Sequence, residues 1–384
     1  MKVNFMIEIR EISRENKKEF KKFFKFPVDL YKDVPNSCPA IMADEMEEFN
    51  PEVNGAFKYA ETKMFLAYED GKVVGRVAAI LNKAYNEKMG VKQLRFSRFD
   101  FIEKFEVAAK LMEAVKNWAI ELKMEQLVGP IGFSDLDKQG MLVEGFDEEN
   151  LYLTIYNHKY YKDYMERMGM EKVVDWIEYR IKTVPPTKKE DELVKKIMKR
   201  SGFEYMETHG AKASKDLVFE ALKDIWNEAY APLYGVVEIN DSQIEREYNM
   251  LKMIWSDDNI AAISKDGKLI AYGFVAPNLS RALSKAKGKL YPFGIFHLLH
   301  DVKHYNAVDC YSIGIKKEYK DLGVNFLMVN RMMHNLQKNN VEYVYTGPML
   351  EHNKKILAQW QPYNPELYRR RRCFGVDVDK VKLS

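Results

Sequence analysis

Cysteine is scarce. Cys38, Cys310 and Cys373 are the only three in 384 residues, far apart and odd in number, which fits neither a disulfide framework nor a zinc site. A reducing cytoplasm is the expected setting. Long apolar runs are missing too: nowhere do eighteen apolar residues run together, so no membrane span is expected. Glu8, Arg10 and Glu11 interrupt the opening dozen residues, where a secretory signal would need an apolar core. An excess of one charge is absent as well. Lys and Arg total 60 against 57 for Asp and Glu, a net charge of +3, which argues against a nucleic-acid coat but leaves room for a local basic patch. What remains is a folded chain with 23 Tyr and 21 Phe, longer than the roughly 250–300 residues at which a single core stops growing.

Alternation over residues 7–12 predicts a first strand, and Ser13 is placed to cap a helix through Phe20, Phe23 and Phe24. Pro27, Pro35 and Pro39 are expected to break up the segment after it. A hairpin is predicted with strands 64–68 and 73–81 around Asp70-Gly71, then a strand at 96–101. Next comes a helix with Val107, Leu111, Val115, Trp118 and Leu122 at helical spacing. A short strand, 126–128, runs into Gly129-Pro130. After an acidic loop, 157–168 reads as a helix stopped by Gly169, and 172–181 as a strand. Residues 183–187 form the best linker, leading into a charged helix, 188–200.

Beyond the linker the order repeats. A strand at 203–208 and a helix at 214–230 precede a hairpin whose Asp266-Gly267-Lys268 repeats Asp70-Gly71-Lys72, with Asn82 and Asn278 after their glycines at equal intervals. A strand and helix then lead to 343–345 and Gly347-Pro348, as 126–128 led to Gly129-Pro130. The amphipathic stretch 280–305 accounts for the greater length of the second interval. This shared order reads as an internal duplication. The fold class is α/β (α+β layered), with two domains, 1–182 and 203–384, joined by a linker and helix at 183–202. Each is a mixed, mostly antiparallel sheet with helices on both faces.

The stretch 309–337 carries the chemistry. A strand through Ile315 passes a charged turn to Gly323, which opens a helix with Phe326, Val329, Met333 and Leu336 on one face. The unpaired N–H groups of a helix's first turn can hold a phosphate. The run Ile315-Lys316-Lys317-Glu318-Tyr319-Lys320-Asp321-Leu322-Gly323-Val324-Asn325 resembles the acyl-CoA-binding motif of the GNAT superfamily, the acetyl-CoA-dependent N-acetyltransferases. That motif typically reads Val-x-Pro-Glu-Tyr-Arg-x-x-Gly-x-Gly from the fourth strand into the third helix. Lys317 replaces its proline and Asn325 its last glycine, a place where asparagine's tolerance of unusual backbone angles would help. The resemblance implies a tandem GNAT-like protein. It also implies acetyl-CoA or another acyl-CoA as cosubstrate, held by Ile315, Lys320, Leu322, Gly323, Val324, Asn325 and Asn353, and transfer to a small-molecule or peptide amine. The first copy has Phe101-Ile102-Glu103-Lys104-Phe105-Glu106 at this turn, without glycine and with two acids, and is expected to hold no coenzyme. Its segment from Asn157 to Gly169, with Tyr160, Tyr161 and Tyr164, keeps the family's Asn…Tyr…Gly pattern, whereas the second copy has Trp360 where a tyrosine is common.

Acyl transfer to an amine needs a base, a donor for the developing oxyanion and a proton for the departing thiolate. Asp309, placed by alternation on the same face as Ile315, is the candidate base; the other reading makes it a solvated strand end. Tyr363 or Tyr311 could protonate the thiolate, or both are packing aromatics. Cys310 faces the core. In the loop 133–147, Asp135, Asp137 and Glu144 could attract a cationic amine, or could simply be solvated. The loop lacks the glutamate a calcium site requires, and His297, His300 and His304 read as one helix face, so no metal is expected. Arg369, Arg370, Arg371 and Arg372 read as an exposed edge strand, or as contacts for phosphates or RNA. The RNA option matters because aminoacyl-tRNA-dependent transferases also carry two GNAT-like halves; it ranks second. A non-catalytic small-molecule binder on the same fold is the remaining alternative. The expected assembly is a monomer or homodimer.

Overall fold

Two Asp-Gly turns set the frame. Asp70 and Gly71 have φ of 50° and 72°, and Asp266 and Gly267 have φ of 51° and 75°. Two successive left-handed residues match the twist of a hairpin, and only a short polar residue ahead of a glycine adopts them cheaply. The computed structural model describes residues 6–289 and 293–384, and within it the chain divides into two compact units. Unit 1 comprises Met1–Trp176, Ser280–Leu298 and Arg369–Ser384; unit 2 comprises Ile177–Leu279 and Leu299–Tyr368.

The strands are β1 (Glu8–Ile12), β2 (Ala60–Glu69), β3 (Lys72–Asn82), β4 (Gln93–Phe101), β5 (Gln126–Gly129), β6 (Met141–Glu144), β7 (Glu171–Lys182), β8 (Phe203–Met206), β9 (Ile260–Lys265), β10 (Lys268–Pro277), β11 (Ala307–Ile315), β12 (Tyr343–Tyr345), β13 (Met349–Leu350) and β14 (Glu366–Asp377).

In unit 1 the order is β1-β2-β3-β4-β5-β14, with β6 also on β14. Only β4 and β5 run parallel among these pairs. Helix Phe105–Glu121 buries Val107, Leu111, Val115 and Trp118 on one face of the sheet, where Val77, Ala79, Leu94 and Phe96 lie. Helix Lys17–Leu30 covers the other face, packing Phe20, Phe23 and Phe24 with Leu66, Ala78 and Ile80.

Several expectations change in this unit. The first helix is capped by Asn16, whose side chain accepts from the Glu19 N–H, and not by Ser13. Pro27 does not end that helix: the Phe23 carbonyl, whose usual helical partner proline lacks, accepts from Arg76 Nη1 at 3.0 Å instead. The helix predicted at 157–168 starts late, at Tyr160–Arg167, because the Asn157 amide is bonded to the Leu142 N–H and C=O and stays outside it.

The arginine run is not an exposed edge. Arg369 and Arg371, on β14, are almost wholly buried. Both donate to Asn150 Oδ1, at 2.6 and 2.9 Å, while Arg372 makes a two-pronged bond to Asp175 and Arg370 pairs with Asp175 and Glu144. Charges this buried are tolerable only when paired and hydrogen-bonded.

Unit 2 repeats the arrangement in the order β7-β12-β11-β10-β9-β8, again antiparallel except for one parallel pair, β11 with β12. Helix Val324–Lys338 lies on one face, burying Val329, Met333 and Leu336 with Val308 and Val344, and Leu327 and Met328 with Ile263 and Ile270. The helix expected over 214–230 is three segments, Lys215–Glu220, a π-helical stretch Ala221–Trp226 and Asn227–Tyr230.

Candidate functional site

The candidate site of unit 2 begins where two parallel strands part. β11 and β12 pair at Ala307↔Tyr343, Val308↔Val344 and Asp309↔Tyr345 and no further, although β11 continues to Ile315. A Cβ on Gly347, just past β12, would come within 3.2 Å of the Cys310 carbonyl, so the chain departs from β11 across a glycine. Beyond that rung β11 has no strand neighbour on this side among the described residues; its Ile313 N–H donates to the Tyr230 hydroxyl at 3.3 Å, and an extended amide-bearing ligand can pair with backbone groups of a parted strand.

β11 also carries a bulge: Phe274 pairs with Ser312 but Val275 with Cys310, leaving Tyr311 extra. The bulge reverses the alternation. Cys310 and Ile315 both pack toward the side covered by helix Val324–Lys338, so Asp309 does not share a face with Ile315, contrary to the spacing argument. Asp309 sits at the last paired rung, 3% exposed, accepting from Asn278 Nδ2 at 2.7 Å. It is not a solvated strand end. Burial, then the adjacent Asp309 charge, pushes the Cys310 thiol up to about 12, so it stays protonated and is no nucleophile.

Past Ile315, a single 3-10 turn, Lys317–Tyr319, leads to Asp321 at φ 67° and Gly323 at φ 83°. The unusual backbone angles fall on these two. Asn325 is an ordinary second residue of helix Val324–Lys338, so its replacement of glycine imposes no backbone strain. By helix geometry the N–H groups of Val324, Asn325 and Phe326 have no intrahelical acceptor; no side chain caps this end, and no acid lies in its first turn. Lys317 and Lys320 are exposed beside it, although Glu228 takes the Lys317 N–H at 3.1 Å. Positive dipole, open N–H groups and nearby lysines together suit an anion. Leu322 is 45% exposed and Val324 is buried.

The other candidates are more scattered. Tyr311 donates to Glu247, so its hydroxyl is engaged. Tyr363 is half-buried against the cluster that holds Trp360 and Cys310; burial, then Glu190, raises its pKa and keeps the hydroxyl protonated. The Trp360 indole N–H, missed as a donor from sequence, is buried with no hydrogen-bond partner among the described residues. Asn353 caps helix Lys354–Ala358, accepting from the Ile356 N–H at 3.4 Å. Asp135, Asp137 and Glu144 all belong to unit 1. Asp135 accepts from Gln139 and Asp137 from the Ser134 N–H, folding their own loop, while Glu144 pairs with Arg370. Among the described residues no group of three His, Cys, Asp or Glu converges to hold a metal, and no helix is long and apolar enough to cross a membrane.

The corresponding place in unit 1 is built alike and filled. β4 and β5 part after Arg95↔Val128 while β4 runs on to Phe101, and β4 carries its own bulge around Arg98. There, however, the Phe101 N–H donates to the Tyr161 hydroxyl, and the Phe101 carbonyl accepts from Tyr160 and Tyr161. The Tyr161 ring stacks on Phe101 at 4.0 Å. Helix Phe105–Glu121 then opens on Lys104 with Glu106 in its first turn, which opposes an anion.

No family model matches the chain. It is 23% identical over 375 residues to Protein YghO of Escherichia coli (strain K12), covering 94% of each chain. It is 24% identical over 308 residues to the Bacterial ceramide synthase of Caulobacter vibrioides (strain NA1000 / CB15N), covering 79% of each. Among solved structures it resembles a tandem GNAT protein from the clavulanic acid biosynthesis pathway, with a TM-score of 0.57 and 9% identity over 97% of this chain and 99% of that one. It also resembles a GCN5-related glucosamine N-acetyltransferase region of a fungal multi-domain GH3 beta-N-acetylglucosaminidase, with a TM-score of 0.55 and 10% identity over 98% of this chain and 38% of that one. With its repeated hairpin, parted parallel strands and glycine-opened helix, the chain has the tandem GNAT-like fold.

Proposed function

We propose that unit 2 transfers an acyl group from an acyl-CoA to an amine, and that unit 1 holds no coenzyme. The observation that carries this reading is the parting of β11 from β12 after Asp309↔Tyr345, with an uncapped helix end that has no acid in its first turn closing the same strand. Val324, Asn325 and Phe326 N–H groups, with Lys317 and Lys320, would hold the pyrophosphate, and the pantetheine amides would pair with β11. Acyl-CoA supplies the activated thioester. The acceptor ammonium first gives a proton to Asp309, directly or through water. The amine nitrogen then attacks the thioester carbonyl, a C–N bond forms and the C–S bond breaks. Of the two protons left on the nitrogen, one stays on the product amide and the other ends on the coenzyme as a thiol, delivered through Tyr363. Cys310, held protonated, takes no part.

Kinship with a bacterial ceramide synthase supports a long-chain amine as acceptor and a fatty acyl-CoA as donor, since a ceramide is the fatty amide of a long-chain amino alcohol. Ligand binding without turnover is the second reading, favoured by Trp360 standing where a hydroxyl is common and by the engagement of Tyr311 with Glu247. The two separate in one assay: release of free thiol from acetyl-, octanoyl- and palmitoyl-CoA, with and without a long-chain amino alcohol. Turnover should require the amine and fall about a hundredfold in Asp309→Asn. Coenzyme binding without thiol release on any amine would favour the second reading, and an Asp309→Asn rate equal to wild type would remove the assigned base.

A further inference from the structure

Unit 1 contains a wide-open surface recess of about 500 Å³, and it belongs to a different unit from the parted strands β11 and β12. Its lining includes the apolar Leu30 and Ile102 together with Tyr156, His158, Tyr160 and Glu103. The rings form a corner. His158 and Tyr160 lie nearly parallel, 5.3 Å apart at 16°, while Tyr156 stands almost perpendicular to His158 at 6.4 Å and 79°. Aromatic faces attract cations, more strongly where water is partly excluded.

The charges agree with the rings. Glu103 is exposed at the recess and forms no ion pair or side-chain hydrogen bond among the described residues. Its charge is felt by both His158 and Tyr160, while Tyr156 feels Arg369 and Asp147. Burial lowers the His158 pKa against the opposing pull of Asp100 and Glu103, so the imidazole is a neutral ring at pH 7 and adds no positive charge. Lys159, the one cation lining the recess among the described residues, is turned to other partners, 5.5 Å from the Phe146 ring centre and 3.9 Å from Asp147.

We propose that this recess binds a primary alkylammonium, its head between Glu103 and the faces of Tyr156 and Tyr160 and its chain along Leu30 and Ile102. The proposal stands whether or not unit 2 turns over acyl-CoA. Anionic ligands are disfavoured by Glu103, and neutral alkyl chains gain only the apolar wall.

Calorimetric titration of the full chain at pH 7 with hexylamine, hexanol and hexanoate tests it. Hexylamine should bind at least about fivefold more tightly than hexanol, and hexanoate least. Glu103→Gln and Tyr156→Leu should each weaken hexylamine about fivefold, with hexanol unchanged in Glu103→Gln. Equal affinity for hexylamine and hexanol, tighter binding of hexanoate, or indifference to Glu103→Gln would each overturn the proposal; the last would move the bound amine away from this recess.

Discussion

Asn325→Asp separates anion binding from stability. A glycine substitution would be less clean: Gly323 has φ 83°, and a Cβ there would lie 3.1 Å from Ile197 Cδ1, so any side chain adds strain to whatever it does to a ligand. Asn325 is half-buried in the first helical turn, with helical backbone and no acid in that turn. A carboxylate at that position interacts favourably with the helix dipole, by about 0.3–1 kcal/mol, so the fold should be unchanged or slightly stabilised. The same carboxylate would sit beside the N–H groups assigned to the pyrophosphate. Two like charges a few ångströms apart at a partly exposed site repel by about 1–2 kcal/mol, or about five- to thirtyfold in affinity. Acetyl-CoA titrated calorimetrically into wild type, Asn325→Asp and Asn325→Gln should show this loss in the aspartate variant and at most about a threefold change in the glutamine variant, with equal or higher melting temperature for Asn325→Asp. Acetyl-CoA affinity of Asn325→Asp within twofold of wild type would refute the placement of the pyrophosphate at this helix end.

Two further predictions concern the buried charges of unit 1. Burial would raise the Glu45 carboxyl, but Arg98 and Lys138 outweigh it and hold its pKa at about 2 against the usual 4.5. Its stabilisation is therefore complete above pH 4.5 and lost as pH falls toward 2, about 3 kcal/mol in all. Urea melts of wild type should lose stability across that window, and Glu45→Gln should show a shallower slope; equal slopes would contradict the pairing. Asn150 Oδ1 accepts from both Arg369 and Arg371, so Asn150→Ala leaves two buried guanidinium groups short of an acceptor and should cost about 3 kcal/mol by urea denaturation. A cost below about 1 kcal/mol would mean that the other acceptors, the Glu148 and Ile155 carbonyls, suffice.

The repeated architecture was legible because its markers are local. Asp70-Gly71 and Asp266-Gly267 fix their hairpins through backbone angles that few residues adopt, and Gly323 opens its helix for the same reason. Features that depend on distant partners were not legible. Nothing in the sequence near Pro27 says that Arg76 will take the Phe23 carbonyl, and nothing near Arg369 says that Asn150 will hold it; four arginines in a row read naturally as a solvated strand. The face of Asp309 was misassigned because one extra residue, Tyr311, reverses every side chain after it, and a bulge has no reliable sequence signature. Trp360 was read as a departure from pattern; that its N–H is buried without a partner among the described residues appears only once the helix beneath it is in place.

Crystals of the wild-type protein grown with acetyl-CoA test the central assignment most directly. One coenzyme per chain is predicted. Its pantetheine should lie along Cys310–Ile315, where β11 has parted from β12, and its pyrophosphate at the N–H groups of residues 324–326. Unit 1 should be empty around Phe101. Coenzyme bound at Phe101 with Tyr160 and Tyr161 displaced, or no coenzyme in unit 2 at concentrations that saturate the protein in solution, would contradict it.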